Sequence, residues 1–517
     1  MSSIASSSFI SMNPFLIAAI LPKLTAKTKC HFYKTNIVCF ATLAWSNNLF
    51  ITMLNKPKIL LISPYDLGRQ PFALAQTYTW LKDDGFHVDC LDLSVQKLDE
   101  ALLEQAGLIG LYLGMHTATR IALKALVKIN RHAPDATLFS FGLYAPLNQD
   151  ILKQHRVSYF FGGESEPDIL QLAQQLSGRL DTGPNNTVVS TQKIAFKLPD
   201  RNSLPPLSTY AKLIKENGEQ KNLGFIETSR GCKYVCRHCP VTPVYEGKFR
   251  IVPFDIVMQD IAQQVAMGAE HISFGDPDFF NGPTHAKKII LAMHEQFPQL
   301  SFDATIKIEH VLKHAGLLPS LKETGCLFIT CAVESFNDDI LLKLDKGHSR
   351  EDTFKAVELL RQSALIISPT FVPFSPWTSL EDYRALLQDI VALDLINEVA
   401  PIQLAIRLLI PNGSYLLKLD GFKALIGDFD PDTLGYQWRH THPAVDELQL
   451  RIMSLVETAD IEGKTRHQTF SEIWRAAHDA LNIKAAELPM AQTKQVPHLS
   501  EAWYCCAEPT NEHINSF

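Results

Sequence analysis

The chain lacks the features of several large classes of protein. Its 48 lysine and arginine residues are outnumbered by 55 aspartate and glutamate residues, so the net charge of −7 offers no basic surplus for nucleic acid or an anionic membrane. The apolar run at residues 16–21 is too short to span a bilayer. The ten cysteines are not arranged as a secreted disulfide framework, because three of them cluster and the others are scattered or lie in the tail. We therefore expect a cytoplasmic protein with no membrane span.

The first 52 residues lack acidic residues and arginine, and they contain four lysines. Transit peptides favour arginine, and a secretory signal begins with a positive charge, whereas no charged residue precedes Lys23. A third interpretation is a start codon assigned too far upstream, with Met53 as the true start. We favour that interpretation over a targeting segment, expect residues 1–52 to be a disordered extension and exclude them from the fold.

The rest of the chain has the composition of a folded protein, with 46% hydrophobic and 20% charged residues. Its length suggests roughly two to four domains. Residues 53–180 alternate apolar runs with amphipathic stretches, which predicts a doubly wound, Rossmann-like parallel sheet in an α/β fold. The predicted strands cover residues 58–63, 86–93, 108–113, 137–141 and 157–161, and the predicted helices cover 73–84, 119–131 and 167–176.

The loops that follow these strands are the expected ligand site, because such sheets bind ligands at the carboxyl ends of their strands. Several of the loops contain glycine, which lets the backbone approach a large planar ligand closely. One of them reads Gly162-Gly163-Glu164-Ser165-Glu166. His116 lies in one of these loops and could contact the ligand, and the alternative is a solvated side chain without a role. The candidate binding residues are Tyr65, Gly114, His116, Gly142, Gly163 and Glu164.

A second domain follows a linker. Residues 181–220 are rich in proline, asparagine, serine and threonine, which indicates an extended connector. Residues 221–440 alternate strands with helical segments, which predicts a partial (β/α)6 barrel. Residues 441–517 form a predicted helical extension that ends in a tail, with helices between 441 and 482. The barrel strands are predicted at residues 225–228, 271–274, 301–306, 327–333, 365–372 and 403–410.

Three cysteines follow the first predicted barrel strand, in the pattern Cys232-x3-Cys236-x2-Cys239. Thiolates at this spacing can hold one soft metal centre, because a short loop can turn all three sulfurs inward. Three ligands would leave one iron of a four-iron cluster open to bind a small molecule. The alternative is a structural zinc site, which would need a fourth ligand such as His238.

Polar residues also follow later barrel strands. Gly275, Asp276 and Asp278 follow the second strand, and either aspartate could accept a hydrogen bond from an ammonium group, unless both merely form a turn. Alternation along the fourth strand places Glu334 on the barrel interior, although it could instead cap the next helix. Arg407 lies inside the sixth apolar strand and would need a partner, either an acidic substrate group or Glu334.

The cysteine triplet resembles the signature of radical S-adenosylmethionine (SAM) enzymes. The first domain and its Gly-Gly-Glu-x-Glu string resemble the cobalamin-binding domain that precedes the catalytic core in one large subfamily. The Asp-x-His-x-x-Gly motif of other cobalamin proteins is absent, since Asp66 has no histidine two residues on. In this subfamily such an absence implies cobalamin bound without a protein histidine. The family's Gly-Gly-Glu motif is incomplete here, since it reads Gly275-Asp276.

The resemblance implies a [4Fe–4S] cluster on the three cysteines, SAM on the open iron, and a 5′-deoxyadenosyl radical formed by one-electron cleavage of SAM. It places the SAM amino group near Asp276, the ribose near Glu334 and the adenine near Pro411. Lys346 or Arg350 would neutralise the SAM carboxylate. The candidate cofactor-binding residues of the core are thus Gly275, Asp276, Asp278, Glu334, Ser335, Arg407 and Pro411.

The tail contains the string Trp503-Tyr504-Cys505-Cys506-Ala507-Glu508-Pro509. It resembles the tail of an uncharacterised radical SAM group named for a terminal Cys-Cys-Ala-Glu-Pro motif, in which selenocysteine sometimes replaces a cysteine. The resemblance implies a catalytic role for Cys505 and Cys506. A vicinal pair can exchange with a disulfide, ligate a metal or donate a hydrogen atom. The alternative is a disordered terminus.

We therefore predict a radical SAM enzyme that uses a [4Fe–4S] cluster, SAM and cobalamin, and we expect methyl transfer to a small-molecule or peptide substrate. Its expected protein partner is an electron donor such as flavodoxin or ferredoxin. One alternative is a cobalamin-free radical SAM enzyme whose tail thiols act in sulfur or selenium chemistry. Another is a zinc-stabilised binding protein without catalysis.

Overall fold

The structure, a computed structural model, describes residues 31–33, 36–38, 57–489 and 496–501. The chain divides into two compact units, residues 1–56 and residues 57–517. In the first unit, strands β1 (His31–Tyr33) and β2 (Asn36–Val38) pair in antiparallel orientation. The second unit holds every expected site residue that the structure describes.

A parallel sheet forms the N-terminal part of the second unit. Its strands are β3 (Ile59–Ser63), β4 (Val88–Asp92), β5 (Leu108–Tyr112), β6 (Thr137–Phe141), β7 (Val157–Gly163) and β8 (Thr187–Ser190). Its helices are α1 (Phe72–Asp83), α2 (Glu100–Gln105), α3 (His116–His132), α4 (Gln149–Gln154) and α5 (Glu166–Leu176). The order is β4-β3-β5-β6-β7-β8, so the direction of winding reverses at β3. Ligands of doubly wound sheets bind at such a reversal.

The sheet is covered on both faces, as its sequence predicts. In β3, Leu60 and Ile62 pack in one apolar core while Ile59 and Leu61 pack in another. Apolar runs of this kind are typical of strands with helices on both sides. The five predicted strands and three predicted helices are present. Strand β8 lies inside the predicted linker, where four residues with alternating exposure leave little periodic signal.

A second, larger sheet begins after the linker. The remaining strands are β9 (Lys212–Ile214), β10 (Gln220–Ile226), β11 (Ser229–Gly231), β12 (Phe249–Ile251), β13 (His271–Phe274), β14 (Ser301–Thr305), β15 (Cys326–Glu334), β16 (Ile366–Phe371), β17 (Ile426–Asp430), β18 (Gly435–Trp438) and β19 (His498–Leu499). Seven of them form one sheet of order β16-β15-β14-β13-β10-β9-β19. Strands β10, β13, β14, β15 and β16 run parallel and form a half barrel.

Most of the helices described after the linker cover this half barrel. The helices are α6 (Thr242–Tyr245), α7 (Phe254–Ala266), α8 (Pro283–Gln296), α9 (Ile308–Lys313), α10 (Leu318–Glu323), α11 (Asp338–Leu344), α12 (Arg350–Gln362), α13 (Leu380–Ala392), α14 (Pro443–Ile461) and α15 (Arg466–Ala480). One apolar core joins the sheet to α7–α10 and α12–α15, whereas α6 packs with Cys232 and α11 packs with the β17–β18 hairpin. Across the described ranges, no helix combines the length and apolar character needed to cross a membrane.

The sixth predicted barrel strand, residues 403–410, does not form. Residues Pro401–Leu404 are a short 3₁₀ helix, and the rest contributes one isolated bridge between Phe374 and Arg407. A continuous buried apolar run cannot be distinguished from a strand by its periodicity. Here the run is apolar because it packs with the β17–β18 hairpin, through Ile406, Leu408 and Ile410.

The linker between the two sheets is held by a buried arginine. Arg201 is fully buried and donates to the two carboxylate oxygens of Asp260 at 2.9 and 2.7 Å. It also donates to the carbonyl oxygens of Phe225 at 2.7 Å and Gln70 at 3.4 Å. Because Gln70 belongs to the first sheet's part and Asp260 and Phe225 to the half barrel, Arg201 connects the two.

Candidate active site

One cavity of about 830 Å³ is lined by the carboxyl ends of both sheets. The loops of the first sheet contribute Gly114, Gly142 and Gly163 to its wall. The half barrel contributes the three cysteines of the predicted metal site together with strand-end polar residues. These are Cys232, Cys236, Cys239, Gly275, Asp276 and Glu334. The cavity therefore brings together residues that lie more than 200 positions apart in the chain.

The three cysteines lie on the loop that leaves β11. Gly231 begins this loop with φ +74°, and a Cβ there would lie 2.5 Å from the carbonyl oxygen of Lys248. The position thus requires glycine, because an L side chain would collide with backbone. A tight turn then brings the N–H of Cys239 to 3.2 Å from the carbonyl oxygen of Cys236. Cys232 and Cys236 are buried, and Cys239 is partly exposed.

The surroundings of the cysteines suit a buried metal cluster. Burial raises the pKa of the Cys232 thiol to about 11, so a thiolate forms there only when a metal replaces the proton. The ammonium of Lys307 lies 3.8 Å from the Cys236 sulfur and 3.3 Å from the ring centroid of Tyr234. Lys307 also pairs with Glu309 at 2.7 Å. A cation at this position favours negative charge on the sulfurs.

The arrangement offers no support for a single zinc ion. Among the residues that the structure describes, no three Cys, His, Asp or Glu side chains converge as ligands of one ion. His238, the candidate for the fourth ligand in the zinc alternative, instead lies 3.2 Å from Glu334 through its Nε2. A four-iron cluster has a different requirement, because each thiolate binds a different iron and the sulfurs need not meet at one point.

Asp276 follows β13 and is held at the cavity wall. Its carboxylate accepts hydrogen bonds from the N–H of Thr228 at 3.0 Å, from the hydroxyl of Thr228 at 2.8 Å and from the hydroxyl of Ser229 at 2.5 Å. Burial raises the pKa of Asp276 to about 6 despite these bonds. The neighbouring Gly275 is close to the Phe225 ring, which a Cβ would meet at 2.1 Å.

Asp278, the second aspartate of this loop, is not among the residues that line the cavity. It is fully buried, and its carboxylate lies 2.6 Å from Nδ1 of His310. The other ring nitrogen of His310 lies 3.0 Å from the hydroxyl of Tyr234 on the cysteine loop. Asp278 therefore supports that loop from behind, which strand-end position alone does not reveal.

Glu334 ends β15 and lines the cavity, on the face that alternation predicts. Its carboxylate oxygen Oε1 accepts from the Lys346 ammonium at 3.1 Å and lies 3.2 Å from His238 Nε2. Burial alone would raise the pKa of Glu334, but Lys346 and His238 outweigh it and lower that pKa to about 2. The backbone of Glu334 has φ +67°, a conformation that costs a non-glycine residue about 1–3 kcal/mol and is typical of functional sites.

Three further candidates, Ser335, Pro411 and Arg350, lie away from the cavity wall. Ser335 accepts the N–H of Asn337 at 3.0 Å, next to the start of α11. Pro411 is buried outside the cavity lining. Arg350 is exposed and pairs with Asp389 on the outer surface, so of the two expected cations only Lys346 reaches the cavity.

Arg407 was expected to meet a substrate acid or Glu334, and the structure gives it other partners. Its guanidinium donates to the carboxylate of Asp446 at 2.7 Å and to the carbonyl oxygen of Trp438. It also stacks on the Trp438 ring at 3.5 Å. Its sequence position predicted a sixth strand end, and because that strand is missing, the side chain points to the C-terminal extension.

The glycines of the first sheet line the cavity, but close backbone packing explains them. A Cβ on Gly142 would lie 2.8 Å from the carbonyl oxygen of Leu113, and one on Gly163 would lie 2.0 Å from that of Ser190. A Cβ on Gly114 would meet the hydroxyl of Tyr112 at 2.5 Å. These glycines let neighbouring segments of the first sheet approach one another closely at the cavity.

Two other candidates of the first sheet are engaged with later parts of the chain. The buried ring of His116 lies 2.6 Å from the carbonyl oxygen of Thr433, and burial lowers the pKa of His116 to about 4. The hydroxyl of Tyr65 donates to the carboxylate of Glu501 at 2.6 Å. His116 therefore contacts the turn between β17 and β18, and Tyr65 contacts the C-terminal extension.

A buried ion network joins the first sheet to the cysteine loop. Arg230, two residues before the first cysteine, donates to Glu164 at 3.2 Å, to Glu166 at 2.7 Å and to Glu227 at 3.0 Å. Tyr245 also donates to Glu164, at 3.1 Å. The Gly-Gly-Glu-x-Glu string thus binds an arginine of the half barrel. Sequence reasoning missed Arg230, although a cation beside a metal motif and an acidic pair elsewhere were visible signals.

The chain returns to the cavity near its end. Strand β19 pairs with β9, and residues 497–501 line the cavity. The N–H of Ser500 donates to the carbonyl oxygen of Lys212 at 2.8 Å. Cys505 and Cys506, the expected catalytic pair, lie outside the described residues.

Comparisons with known proteins agree with this geometry. Residues 226–390, which include the three cysteines, match the model of the Radical SAM superfamily. A bacteriochlorophyllide d C-12(1)-methyltransferase from Chlorobaculum tepidum is 23% identical over 223 residues, covering 42% of this chain and 46% of that enzyme. The chain thus spans about half the length of that relative.

Solved structures extend the likeness to both sheets. The radical SAM methyltransferase TsrM from Kitasatospora setae, with cobalamin and a [4Fe–4S] cluster bound, is 20% identical with a TM-score of 0.52 and covers 66% of this chain and 70% of its own. The cobalamin-dependent SAM radical enzyme OxsB, with aqua-cobalamin and SAM bound, is 15% identical with a TM-score of 0.58. The match covers 86% of this chain and 72% of the OxsB chain. The chain therefore contains a Radical SAM superfamily domain, within a fold similar to that of cobalamin-dependent radical SAM enzymes.

Proposed function

We propose that this protein is a cobalamin-dependent radical SAM enzyme that transfers a methyl group to a small-molecule or peptide substrate. The observation that carries the proposal is the single cavity shared by the cysteine loop, the strand-end groups of the half barrel and the loops of the first sheet. The similar proteins TsrM and OxsB bind the three cofactors that the sequence predicts. When bound, the cluster with SAM supplies one-electron reductive cleavage, and cobalamin supplies a transferable methyl group.

The cysteine loop would hold the cluster. Cys232, Cys236 and Cys239 provide three thiolates, and no fourth ligand is needed if SAM completes the site. Burial of two of the three excludes water, and the Lys307 ammonium balances part of the negative charge. The hydrogen-bonded support from His310 and Tyr234 keeps the loop in place.

The half barrel would bind SAM through complementary charges. Asp276 faces the cavity with a carboxylate suited to the SAM ammonium group, and Lys346 presents an ammonium suited to its carboxylate. Glu334 orients both Lys346 and His238, because its Oε1 atom contacts the Lys346 ammonium and the His238 ring. These four side chains are buried, so the charges act in a medium of low dielectric constant where they are strong.

The loops of the first sheet would hold cobalamin. Gly114, Gly142 and Gly163 line the cavity at the carboxyl ends of the first sheet's strands, where doubly wound sheets bind their ligands. His116 is turned toward Thr433, and Asp66 has no histidine two residues on, so neither position offers an imidazole for cobalt. The residues therefore fit cobalamin bound without a histidine ligand from these loops.

Reconstitution under anaerobic conditions tests the proposal. Protein supplied with iron, sulfide and cobalamin should show cluster absorbance and retain stoichiometric cobalamin after desalting. Protein supplied with iron and sulfide alone should show the cluster spectrum only, and both samples should form 5′-deoxyadenosine when reduced with SAM present. If the protein retains the cluster but no cobalamin, the cobalamin-dependent proposal is wrong and the cobalamin-free radical SAM alternative holds. Protein that stays colourless would contradict the whole proposal.

SAM affinity should depend on the charge of Asp276. The carboxylate is neutralised as the pH falls through about 6, so its attraction for the SAM ammonium should be lost below that pH and present above it. Equilibrium dialysis of SAM against the reconstituted protein at several pH values measures this step. Asp276→Asn should bind SAM weakly at every pH, with no change in affinity near pH 6. If that variant still shows the same pH-dependent change in affinity, Asp276 is not part of the SAM site.

The tail cysteines follow soon after the last described residue of the cavity wall. Residue 501 lies in the cavity wall, and four further residues can extend at most about 14 Å. We propose that Cys505 and Cys506 act as thiols at this cavity. Alkylation of the pair, followed by mass spectrometry of the tail peptide, should become slower when the cofactors are loaded. Cys90, which lies in the first sheet, serves as the reference whose rate should not change. Equal rates for the tail before and after loading would contradict this role.

A further inference from the structure

The proposed function requires an electron from outside the chain. Reductive cleavage of SAM consumes one electron for each turnover, and the described residues offer no second group of three ligands for another metal centre. An external donor must therefore approach the cysteine loop. Electron transfer falls steeply with distance, so the useful approach is the one where the cluster lies nearest the surface.

The cysteine loop exposes an apolar residue between its first two cysteines. Cys232 and Cys236 are 9% and 7% exposed, whereas Val235 between them is 41% exposed. Cys239 is partly exposed, but it lines the cavity that the cofactors would fill. Val235 does not line that cavity, so the surface around it is an approach to the cluster that bound cofactors would leave open.

Helix α11 borders this point with a second exposed apolar residue. The N–H of Arg237 donates to the carbonyl oxygen of Leu344 at 2.9 Å. Its guanidinium donates to the carbonyl oxygens of Leu342 at 3.0 Å and Lys343 at 2.9 Å. The last turn of α11 is therefore fixed beside the cysteine loop, and Leu342 is 75% exposed there.

Helix α9 borders the loop on another side. His310 faces the loop through its contact with Tyr234, and Lys313 lies one turn further along that helix and is exposed. The cations of this surface are accompanied by Asp345, which pairs with Arg237 at 3.6 Å. We define the cluster-loop patch by its members, which are Lys233, Val235, Arg237, Lys313, Leu342 and Lys343.

The patch carries four cations, although the chain as a whole has a net charge of −7. Arg237 has a sufficient structural reason, because it donates to the last carbonyls of α11. The exposed apolar residues taken singly would also be ordinary. The four cations and the two exposed apolar residues lie together beside a buried cysteine loop. A docked protein partner would explain this combination.

We propose that the cluster-loop patch is the docking surface for an acidic one-electron donor protein. Opposite charge attracts and orients such a partner, and Val235 and Leu342 provide the apolar contacts at the centre. Redox partners need only small interfaces, below about 1,200 Å² in total, and the six residues of the patch would form the centre of one. The inference rests on the proposed function, since it presumes the cluster as the acceptor.

Charge reversal away from the cysteines tests the patch. In Lys313→Glu/Lys343→Glu, the two patch cations that belong to helices α9 and α11 are reversed while the cysteine loop itself is unchanged. With reduced flavodoxin as the donor, the concentration needed for half-maximal 5′-deoxyadenosine formation should rise about tenfold, because rim charges control encounter. With dithionite as the donor, the rate should equal that of the wild type. The effect should shrink as salt is added.

A matched control makes the same charge change elsewhere. Lys128→Glu/Arg131→Glu reverses two exposed cations of α3 in the first sheet's part and should behave as the wild type with both donors. Equal flavodoxin dependence in the patch and control variants, with normal dithionite activity, would overturn the docking surface and leave the proposed function intact. A patch variant that only changes the oligomeric state would overturn it in favour of contact between copies. Wild-type protein without a cluster would overturn both proposals.

Discussion

Replacing Cys236 with alanine is expected to abolish both cluster assembly and SAM cleavage. Two thiolates cannot hold a [4Fe–4S] cluster that already leaves one iron open for SAM, so iron should be lost and not only misplaced. Cys236 also lies beside the Lys307 ammonium, and its removal leaves that cation without a sulfur partner at 3.8 Å. Iron analysis, visible absorbance and 5′-deoxyadenosine formation after anaerobic reconstitution measure the result.

Cys326→Ala is the matched control for this experiment. Cys326 is buried in the core of the half barrel and does not line the cavity. Its replacement removes one sulfur from a packed site, so a modest loss of stability is expected, with iron content and SAM cleavage unchanged. Undiminished 5′-deoxyadenosine formation by Cys236→Ala would contradict the assignment of the cluster ligands.

Replacing Arg201 with methionine is expected to destabilise the protein by about 3–5 kcal/mol, because it leaves the buried carboxylate of Asp260 without its partner. Arg201 and Asp260 are 0% and 1% exposed, so water cannot replace the lost bonds without opening the interface. The free energy of unfolding, measured by urea denaturation, should therefore fall sharply. Since Arg201 also bonds to Gln70 and Phe225, contact between the two sheets' parts should weaken as well.

A nearby exposed ion pair provides the comparison. Lys82 and Asp200 lie 2.8 Å apart, but the Lys82 side chain is 54% exposed. Lys82→Met should change the free energy of unfolding little, because solvent screens an exposed ion pair. The double variant Arg201→Met/Asp260→Leu should recover much of the loss, because no buried charge remains unpaired. A loss for Arg201→Met as small as that for Lys82→Met would show that the buried pair does not support the interface.

The strands and the cysteine loop could be read from the sequence because their signals are local. Apolar runs separated by amphipathic helices define a parallel sheet, and β6 and β13 coincide with the predicted 137–141 and 271–274. The position of Glu334 on the interior of the half barrel follows from a period of two along one strand. Each of these inferences needs only neighbours in the chain.

The partners of the charged residues could not be predicted in this way. Arg407 bonds to Asp446, and Asp278 to His310, although the sequence suggested cofactor contacts for both. Residues 403–410 read as a strand because a buried apolar run looks the same whether it packs in a sheet or against a hairpin. For both charged residues the deciding neighbour lies more than 30 residues away in the chain, and for residues 403–410 it lies beyond the window in which periodicity is read.

The sequence by itself determined the two α/β parts, the thiolate loop and the side of each strand that faces inward, because these follow from short-range periodicity and ligand spacing. Only the tertiary structure decided that the Gly-Gly-Glu-x-Glu string binds Arg230 beside the cysteines, and that residues 497–501 return to the cavity wall. Contacts between distant segments depend on how whole elements pack. A buried carboxylate needs a charged partner, and the residue that provides it comes from a distant segment that the local sequence does not indicate.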